Sequence, residues 1–194
     1  MKHYIICMFI FIQCIFTTSL GSSVDLKLFS SSPVGPYRIV FKQVYNCNPT
    51  QNTKMQFNMS LSHKDNSTML VSNTSSTIQF DDNLFVEIKM ALKDSFGIWK
   101  ENVYVHKLPN ACSTVKQLLG KAWPEMIHGF GYPSVNCPIP LGVYTSPGMN
   151  LQSICENGNF PKMFIYGSYK FHILYTRKNE IVGCQGFIFD MKRP

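Results

Sequence analysis

The stretch that decides the fold is Cys137-Pro-Ile-Pro-Leu-Gly-Val-Tyr144, which is followed by Gly167-Ser-Tyr-Lys-Phe171 and Ile181-Val-Gly-Cys184. The first segment combines two prolines, a glycine and a cysteine, a composition typical of a constrained turn. The second segment begins a run in which apolar and polar residues alternate, which is the period of a half-buried strand. The third begins another strand and has a cysteine near its start. The sequence here predicts a turn that carries a cysteine, followed by a long hairpin.

The same period of two recurs along the chain. Met55, Phe57 and Met59 alternate with polar residues, and the apolar residues between Leu84 and Leu92 do the same. Further strands are predicted around residues 37–41, 99–105, 169–176 and 187–189. Turns rich in asparagine, serine and aspartate separate the strands, at residues 64–68, 73–77, 94–97 and 177–180. Such spacing is typical of antiparallel hairpins in a sandwich or barrel.

One segment breaks this period. Between Asn110 and His128, apolar residues recur at steps of three and four, which predicts a short helix. Asn110 or Ser113 can cap its start, and Pro124 should end or kink it. No internal repeat or interdomain linker is visible. The sequence therefore predicts a mainly β, antiparallel sandwich with one short helix.

The first 21 residues have the composition of a secretory signal peptide. Lys2 and His3 form a short basic start, Tyr4 to Phe16 is an almost unbroken apolar run, and small residues follow. A membrane anchor would need about 20 apolar residues, and this run is shorter. We expect residues 1–21 to be cleaved and residues 22–194 to form a single domain. The protein should then be secreted, with the lysosomal lumen as an alternative destination.

Five cysteines remain after cleavage: Cys47, Cys112, Cys137, Cys155 and Cys184. In a secreted protein most of them should form disulfides, and because five is an odd number one is free or bonds another chain. None lies within four residues of another, so the spacing matches no common zinc site. We expect neither a metal nor a cofactor.

Three glycosylation sequons lie within eighteen residues, at Asn58, Asn66 and Asn73. Clustered sequons in a secreted chain indicate one exposed, glycosylated hairpin. The formal net charge is +7, but the basic residues are scattered among apolar strands. A diffuse surplus of this kind does not predict nucleic-acid binding, although it permits weak attraction to anionic membranes.

No catalytic motif is present. The chain lacks a Gly-x-Ser-x-Gly elbow, a His-Glu-x-x-His pair, a phosphate loop and a dinucleotide-binding glycine pattern. The sequence therefore favours a binding protein over an enzyme. Long apolar faces and frequent methionines fit a cavity for a flexible ligand, since methionine adapts to irregular shapes. On the residue pattern alone, ordinary core packing is the more frequent explanation of these features.

The loop from Met126 to Pro133 has large apolar side chains between glycines. It is either a mobile lid that touches membrane or ligand, or a buried crossover that plugs one end of the sandwich.

The C-terminal motifs resemble the ganglioside-activator branch of the MD-2-related lipid-recognition proteins, and in particular secreted insect proteins of that type. The resemblance covers residues 105–194 and rests on Ala111-Cys112, the Cys-Pro-x-x-x-Gly-x-Tyr turn and the final hairpin. It implies an antiparallel β-cup with an internal apolar cavity and a helix at its rim. It also implies disulfides between Cys47 and Cys184 and between Cys112 and Cys137, with Cys155 left over.

A protein of this kind would hold a lipid or another small apolar ligand for transfer, solubilisation or presentation, and would meet a membrane surface or a receptor. The alternative is a secreted interaction protein or chemosensory accessory protein that has a closed core and acts through a receptor or partner. We expect the cavity and its rim to be lined by apolar side chains of the strands and the helical region, namely Leu84, Val86, Ile88, Met90, Leu92, Trp99, Trp123, Met126, Ile127, Phe130, Tyr132, Phe171 and Ile173.

Overall fold

The computed structural model describes residues 33–47, 53–64 and 67–194. The predicted signal peptide, residues 1–21, lies outside the described residues, and so does Asn66 of the middle sequon. The strands are β1 (Val34–Gly35), β2 (Arg38–Tyr45), β3 (Met55–Lys64), β4 (Ser67–Ser76), β5 (Phe85–Lys93), β6 (Trp99–Leu108), β7 (Gly142–Thr145), β8 (Met149–Asn150), β9 (Phe164–Ile165), β10 (Gly167–Arg177) and β11 (Glu180–Lys192).

The larger of the sheets has five antiparallel strands in the order β2-β11-β10-β5-β6. Its centre is the predicted C-terminal hairpin, in which Phe171 lies opposite Phe187 and Tyr169 opposite Phe189. Alternation places these aromatic residues on one face, which we call the inner face. Burial of this face fixes the register, because a slip of one residue would turn every apolar side chain outward.

The second sheet is formed by β3, β4 and β7, with β8 also paired to β4. Met55 and Phe57 of β3 are buried, and their neighbours Gln56 and Asn58 are less buried or exposed, as the period of two predicts. The apolar side of β3 packs against β2 and β11 of the five-stranded sheet. The small third sheet contains only the short strands β1 and β9.

A helical segment connects β6 to β7. It consists of α1 (Ala111–Leu119), a 3₁₀ turn (Gly120–Ala122) and α2 (Trp123–Gly129). Pro124 lies in the first turn of α2, where a proline is tolerated because the backbone N–H there has no partner within the helix. The break in the helix therefore occurs at Gly120–Ala122 and not at Pro124 as predicted, and the chain remains helical as far as Gly129.

The start of α1 is capped from outside the helix. Asn110 occupies the cap position in a left-handed conformation and its side chain makes no capping bond. Instead the Asp82 carboxylate accepts hydrogen bonds from the Ser113 backbone N–H, at 2.8 Å, and from its hydroxyl, at 2.6 Å. These two bonds lower the pKa of Asp82 and satisfy an N–H that the helix leaves unpaired.

The fold is mainly β, with antiparallel sheets packed as a sandwich and a helical segment beside them, as predicted. A further helix, α3 (Leu151–Asn157), was not predicted. The predicted turn at residues 73–77 is wrong. Strand β4 continues to Ser76, and Thr74 within this stretch is buried. The polar residues of this stretch pair with β3 on one side and with β7 on the other.

Both disulfides that the resemblance implies are present. Cys47 is bonded to Cys184 and joins the end of β2 to β11, with a Cα–Cα distance of 5.5 Å. Cys112 is bonded to Cys137, which ties α1 to the Cys-Pro turn at a Cα–Cα distance of 6.0 Å. Among the described residues Cys155 is a free cysteine.

Candidate apolar site between the sheets

A cavity of about 40 Å³ lies where the two sheets meet the helical segment. Two strands of the five-stranded sheet, β3 of the second sheet, and the α1–α2 region all contribute to its wall. The lining residues are Met55, Phe57, Phe80, Val115, Met126, Ile127, Phe130, Tyr132, Tyr175 and Gln185.

The volume is small for a ligand site. Ligand pockets usually measure about 300–1,000 Å³, whereas 40 Å³ is close to the space that one water molecule occupies in the liquid. An acyl chain cannot enter without movement of the wall. Two of the lining side chains, Met55 and Met126, are methionines, and their unbranched thioethers can repack around such a change.

None of the lining residues carries a charged group. The Tyr175 hydroxyl donates to Gln185 Oε1 at 3.3 Å, and both side chains are buried. Burial raises the pKa of Tyr175 and that of Tyr132, so both hydroxyls stay protonated at neutral pH. The wall is thus apolar with a few neutral polar groups, which suits a molecule that is held by burial and not by ion pairing.

The segment from Met126 to Pro133 closes one end of this cavity. Ile127 is fully buried and Phe130 is 6% exposed. Of the two predicted alternatives, the segment is therefore the buried plug in this structure. Gly131 has a φ of +78°, and a Cβ there would collide with the Thr145 carbonyl oxygen. The Ser146 hydroxyl hydrogen-bonds the Gly129 carbonyl oxygen, which fixes the plug to the chain after β7.

Four of the predicted site residues, Met126, Ile127, Phe130 and Tyr132, line the cavity. Leu84, Val86 and Ile173 belong to the core cluster that contains the lining residues Met55, Phe57 and Tyr175, but they do not line the cavity themselves.

Other predicted residues lie farther along the inner face. Ile88 is half-buried there, opposite Ile173. Met90, Leu92 and Phe171 belong to a separate cluster around Tyr169 and Phe189.

The two tryptophans do not line the cavity. Trp123 is buried in the core, where its indole N–H donates to the Val135 carbonyl oxygen at 2.7 Å. Trp99 lies opposite Lys93, on the outer face of the five-stranded sheet, and the Nζ atoms of Lys93 and Lys170 lie 5.7 and 5.4 Å from its ring centroid. The expectation of a cavity role for Trp99 is corrected here: an irregularity between Met90 and Leu92 shifts the β6 register.

Several lining residues were not among the predicted ones. Met55, Phe57 and Tyr175 belong to strands whose alternation is clear in the sequence, so they could have been included. Val115 lies on the apolar side of the predicted helix. Phe80 is in a loop and reaches the cavity through an isolated bridge to Ile139, which no local pattern could indicate.

The turn between β5 and β6 presents two apolar side chains to solvent. Phe96 is 87% exposed and Ile98 is 64% exposed. The turn is well ordered, because Asp94 Oδ1 accepts from the backbone N–H groups of both residues at 2.9 Å. Exposed lysines lie beside it at Lys93 and Lys100. The tip of this turn therefore combines two exposed apolar side chains with two exposed cations.

The described sequons face solvent. Asn58 and Asn73 are both exposed and lie directly opposite each other on β3 and β4. Their position on the exposed side of the second sheet is compatible with the glycosylation that the sequence predicts at both sites.

The free Cys155 lines a second, more polar pocket of about 190 Å³ together with Tyr37, Arg38 and Glu156. Burial, with a smaller effect of the Glu156 charge, raises the pKa of the Cys155 thiol to about 12. The thiol is therefore protonated and a weak nucleophile at neutral pH.

On the outer face of the five-stranded sheet, the Tyr45 hydroxyl oxygen lies 2.6 Å from His172 Nε2. Burial lowers the pKa of His172, and the positive charge of Lys170 lowers it further. His172 is thus uncharged at neutral pH, and this pair lies across the sheet from the cavity.

No protein-family model matches this chain, and no curated protein matches it either. Within the described residues no helix is long and apolar enough to cross a membrane. The same residues contain no group of three or more His, Cys, Asp or Glu side chains that could hold a metal ion.

Proposed function

We propose that this chain is a secreted binding protein that holds a lipid or another small apolar ligand between its two sheets. The observation that carries the proposal is the uncharged, methionine-containing cavity at the junction of the sheets and the helical segment. Binding there depends on burial, at roughly 0.8 kcal/mol for each methylene removed from water, and needs no charged anchor.

Ligand entry requires the closed cavity to widen. The part of the wall proposed to move is the plug, because Gly129 and Gly131 flank Phe130 in its backbone; the movement must break the hydrogen bond between the Ser146 hydroxyl and the Gly129 carbonyl oxygen. Its outward displacement would join the cavity to the half-buried inner face at Ile88 and Ile173. A ligand that stabilises this wider state would shift the population toward it.

The exposed β5–β6 turn supports contact with a membrane during loading or delivery. Phe96 and Ile98 can enter the interface of a bilayer, while Lys93 and Lys100 remain near anionic headgroups. The positive net charge of the chain favours the same surface.

The C-terminal motifs and the two disulfides support placing the chain with the ganglioside-activator type of lipid-recognition proteins. This placement is itself part of the proposal. It accounts for the pairing of Cys47 with Cys184 and of Cys112 with Cys137, and both disulfides suit the oxidising compartment into which a secreted protein passes.

The second candidate is a secreted interaction or chemosensory accessory protein that acts through a receptor with its core closed. The small volume of the cavity and the burial of Phe130 favour it. In that case the exposed β5–β6 turn would contact a protein and not a bilayer.

Organic extraction of the natively secreted protein separates the two candidates. Protein purified from the medium of eukaryotic cells would be extracted and analysed by mass spectrometry, with an unrelated secreted protein from the same cells as the control. The carrier proposal expects an apolar compound at near one molecule per chain. An extract that contains no more apolar material than the control would favour the closed-core candidate.

A further inference from the structure

Three of the ten side chains that line the cavity between the sheets are polar: Tyr132, Tyr175 and Gln185. Tyr175 and Gln185 come from the two strands of the central hairpin. In that ladder Tyr175 lies opposite Gly183, two residues before Gln185, so the two polar side chains are diagonal neighbours on the inner face. Tyr132 belongs to the plug. Three separate segments therefore bring polar groups to one small space.

Gln185 is buried, but its amide is only partly satisfied. The residue is 5% exposed, and the Tyr175 hydroxyl donates to its Oε1 atom at 3.3 Å. That distance exceeds the usual range of an O–H···O hydrogen bond, about 2.5–3.0 Å. The bond uses the amide oxygen and not the two N–H donors of the amide. Because a buried amide costs free energy unless it is hydrogen-bonded, Gln185 gains from a further partner in the cavity.

The Tyr132 hydroxyl lies beside a second group that is not satisfied. Burial raises the pKa of Tyr132, and the nearby Thr74 hydroxyl acts in the opposite direction. Thr74 is 1% exposed, and within the described part of the chain its Oγ1 atom has no hydrogen-bond partner of good geometry. Burial also raises the pKa of Tyr175, and the proximity of Tyr132 raises it further. The cavity therefore has neutral hydroxyl groups, which can both donate and accept hydrogen bonds.

No cationic side chain is among the residues that line this cavity. The guanidinium nearest in sequence to Tyr175 is that of Arg177, which donates to Asp81 at 3.1 Å. A carboxylate placed in the cavity would be buried without a counter-charge, which is costly. An uncharged oxygen avoids that cost. The volume of about 40 Å³ is close to that of one water molecule in the liquid, so it fits a single oxygen.

We propose that the cavity is the subsite for the polar end of an uncharged lipid, a long-chain alcohol or its ester. The oxygen of that end accepts a hydrogen bond from the Gln185 amide, and an alcohol also donates to a tyrosine hydroxyl oxygen. The chain occupies the half-buried inner face at Ile88 and Ile173 once the plug has moved. This inference rests on the proposed function and adds the chemical class of the ligand.

Competition for an uncharged fluorescent dye tests the preference for a neutral end group. Bound phenylnaphthylamine would be displaced by dodecanol, dodecyl acetate or dodecanoate, which share one chain length. The two uncharged compounds should act at concentrations at least about tenfold lower than dodecanoate. Dodecanoate still binds through its chain, because its carboxylate can stay outside the cavity. Displacement by dodecanoate at the same concentrations as by dodecanol would overturn the proposed end-group subsite.

Substitution of Gln185 tests the hydrogen bond itself. Gln185→Leu keeps a similar volume and should weaken dodecanol binding about fivefold, while the dye binds as to the natural chain. Gln43→Leu makes the same change at an exposed residue of β2 and should leave both affinities unchanged. Tyr175→Phe removes the hydroxyl but keeps the ring, and it should also weaken dodecanol. Melting temperatures check folding, and Tyr175→Phe decides the matter if Gln185→Leu does not fold.

The outcomes separate this inference from the proposed function. A natural chain that binds neither the dye nor dodecanol would refute both. If the dye binds but the Gln185 and Tyr175 variants hold dodecanol as tightly as Gln43→Leu does, the ligand site stands and the hydrogen-bonding subsite is overturned.

Discussion

Phe130 and Tyr132 stack with their ring centroids 5.6 Å apart and an angle of 19° between the ring planes, although only Gly131 separates them in sequence. The stack is completed by Tyr144, whose ring meets that of Tyr132 edge-on at 4.9 Å. Gly131 permits this arrangement because its φ of +78° is costly for other residues. The plug is therefore a built element of the core, and its rings form one end of the candidate cavity.

Replacing Phe130 with serine should destabilise the fold by roughly 3 kcal/mol, since the side chain is 6% exposed and its loss leaves a hole beside Tyr132. Urea denaturation would measure the change. Val143→Ser, at a residue that is 80% exposed, is the matched control and should change stability by less than about 0.5 kcal/mol. A Phe130→Ser protein as stable as the control would mean that the segment is a mobile lid in solution.

The cysteines should differ in their effect on stability. Cys47 and Cys184 are 137 residues apart in sequence, whereas Cys112 and Cys137 are 25 apart. In the chain-entropy model the longer loop corresponds to roughly 5 kcal/mol and the shorter one to about 3.5 kcal/mol. Cys184→Ser should therefore lower the free energy of unfolding more than Cys112→Ser does.

Cys155→Ser is the control for both substitutions, because it breaks no disulfide. Non-reducing peptide mapping of the natural chain would check the pairing itself. A peptide that joins Cys155 to Cys112 or Cys137 would contradict the pairing described above.

Stability should fall as the pH drops below about 6.5 through the titration of His172. In the unfolded chain this histidine takes up a proton near its ordinary pKa of 6.5, whereas burial lowers its pKa in the fold. The unfolded state then binds more protons, so the free energy of unfolding decreases as the pH falls through this window. His172→Gln should reduce that dependence between about pH 7 and about pH 5.

His63→Gln, which replaces an exposed histidine on β3, is the comparison. Urea midpoints measured across the same pH range would show the difference in slope. If the His172 and His63 variants both keep the slope of the natural chain, burial does not control the charge of His172.

The β5–β6 turn should control binding to anionic vesicles. The double variant Phe96→Ser, Ile98→Ser removes both exposed apolar side chains, each of which contributes roughly 1.5–3 kcal/mol when it is fully buried. Partitioning of the protein onto the vesicles should therefore weaken at least about tenfold. Co-sedimentation with vesicles containing phosphatidylserine would measure it. Leu141→Ser with Val143→Ser removes similarly exposed side chains elsewhere and should change little. Equal losses from both pairs would argue against docking by this turn.

The sequence predicts most of the fold because its signals are local. Alternation of buried and exposed residues indicates β3, β5 and β10, and the three- and four-residue steps indicate the helical segment. The short helix α3 was missed, since seven residues show too little of the helical period. The start of α3 could nevertheless have been recognised, because asparagine is a preferred N-cap residue. In the structure the Asn150 side-chain oxygen accepts hydrogen bonds from the backbone N–H groups of Gln152 and Ser153.

The site is harder to predict than the fold because its geometry depends on contacts that are distant in sequence. Alternation shows that Trp99 lies on a strand but not which face it takes, and the irregularity in β6 decides that point. Phe80 reaches the cavity only through its bridge to Ile139. The volume of the cavity follows from how all lining side chains pack together, which a pattern of residue types does not encode.

The most direct test of the account is a titration of a fluorescent fatty acid with two variants of α1. Val115→Phe adds a ring inside the cavity, whereas Leu118→Phe adds the same ring one turn away at a residue that is 36% exposed. The added ring of Val115→Phe would occupy the space that a ligand needs, so it should weaken binding by roughly tenfold or more, while Leu118→Phe binds like the natural chain. Melting temperatures would confirm that both are folded. Equal binding by a folded Val115→Phe and by the natural chain, or no binding by the natural chain, would contradict an apolar ligand site between the sheets.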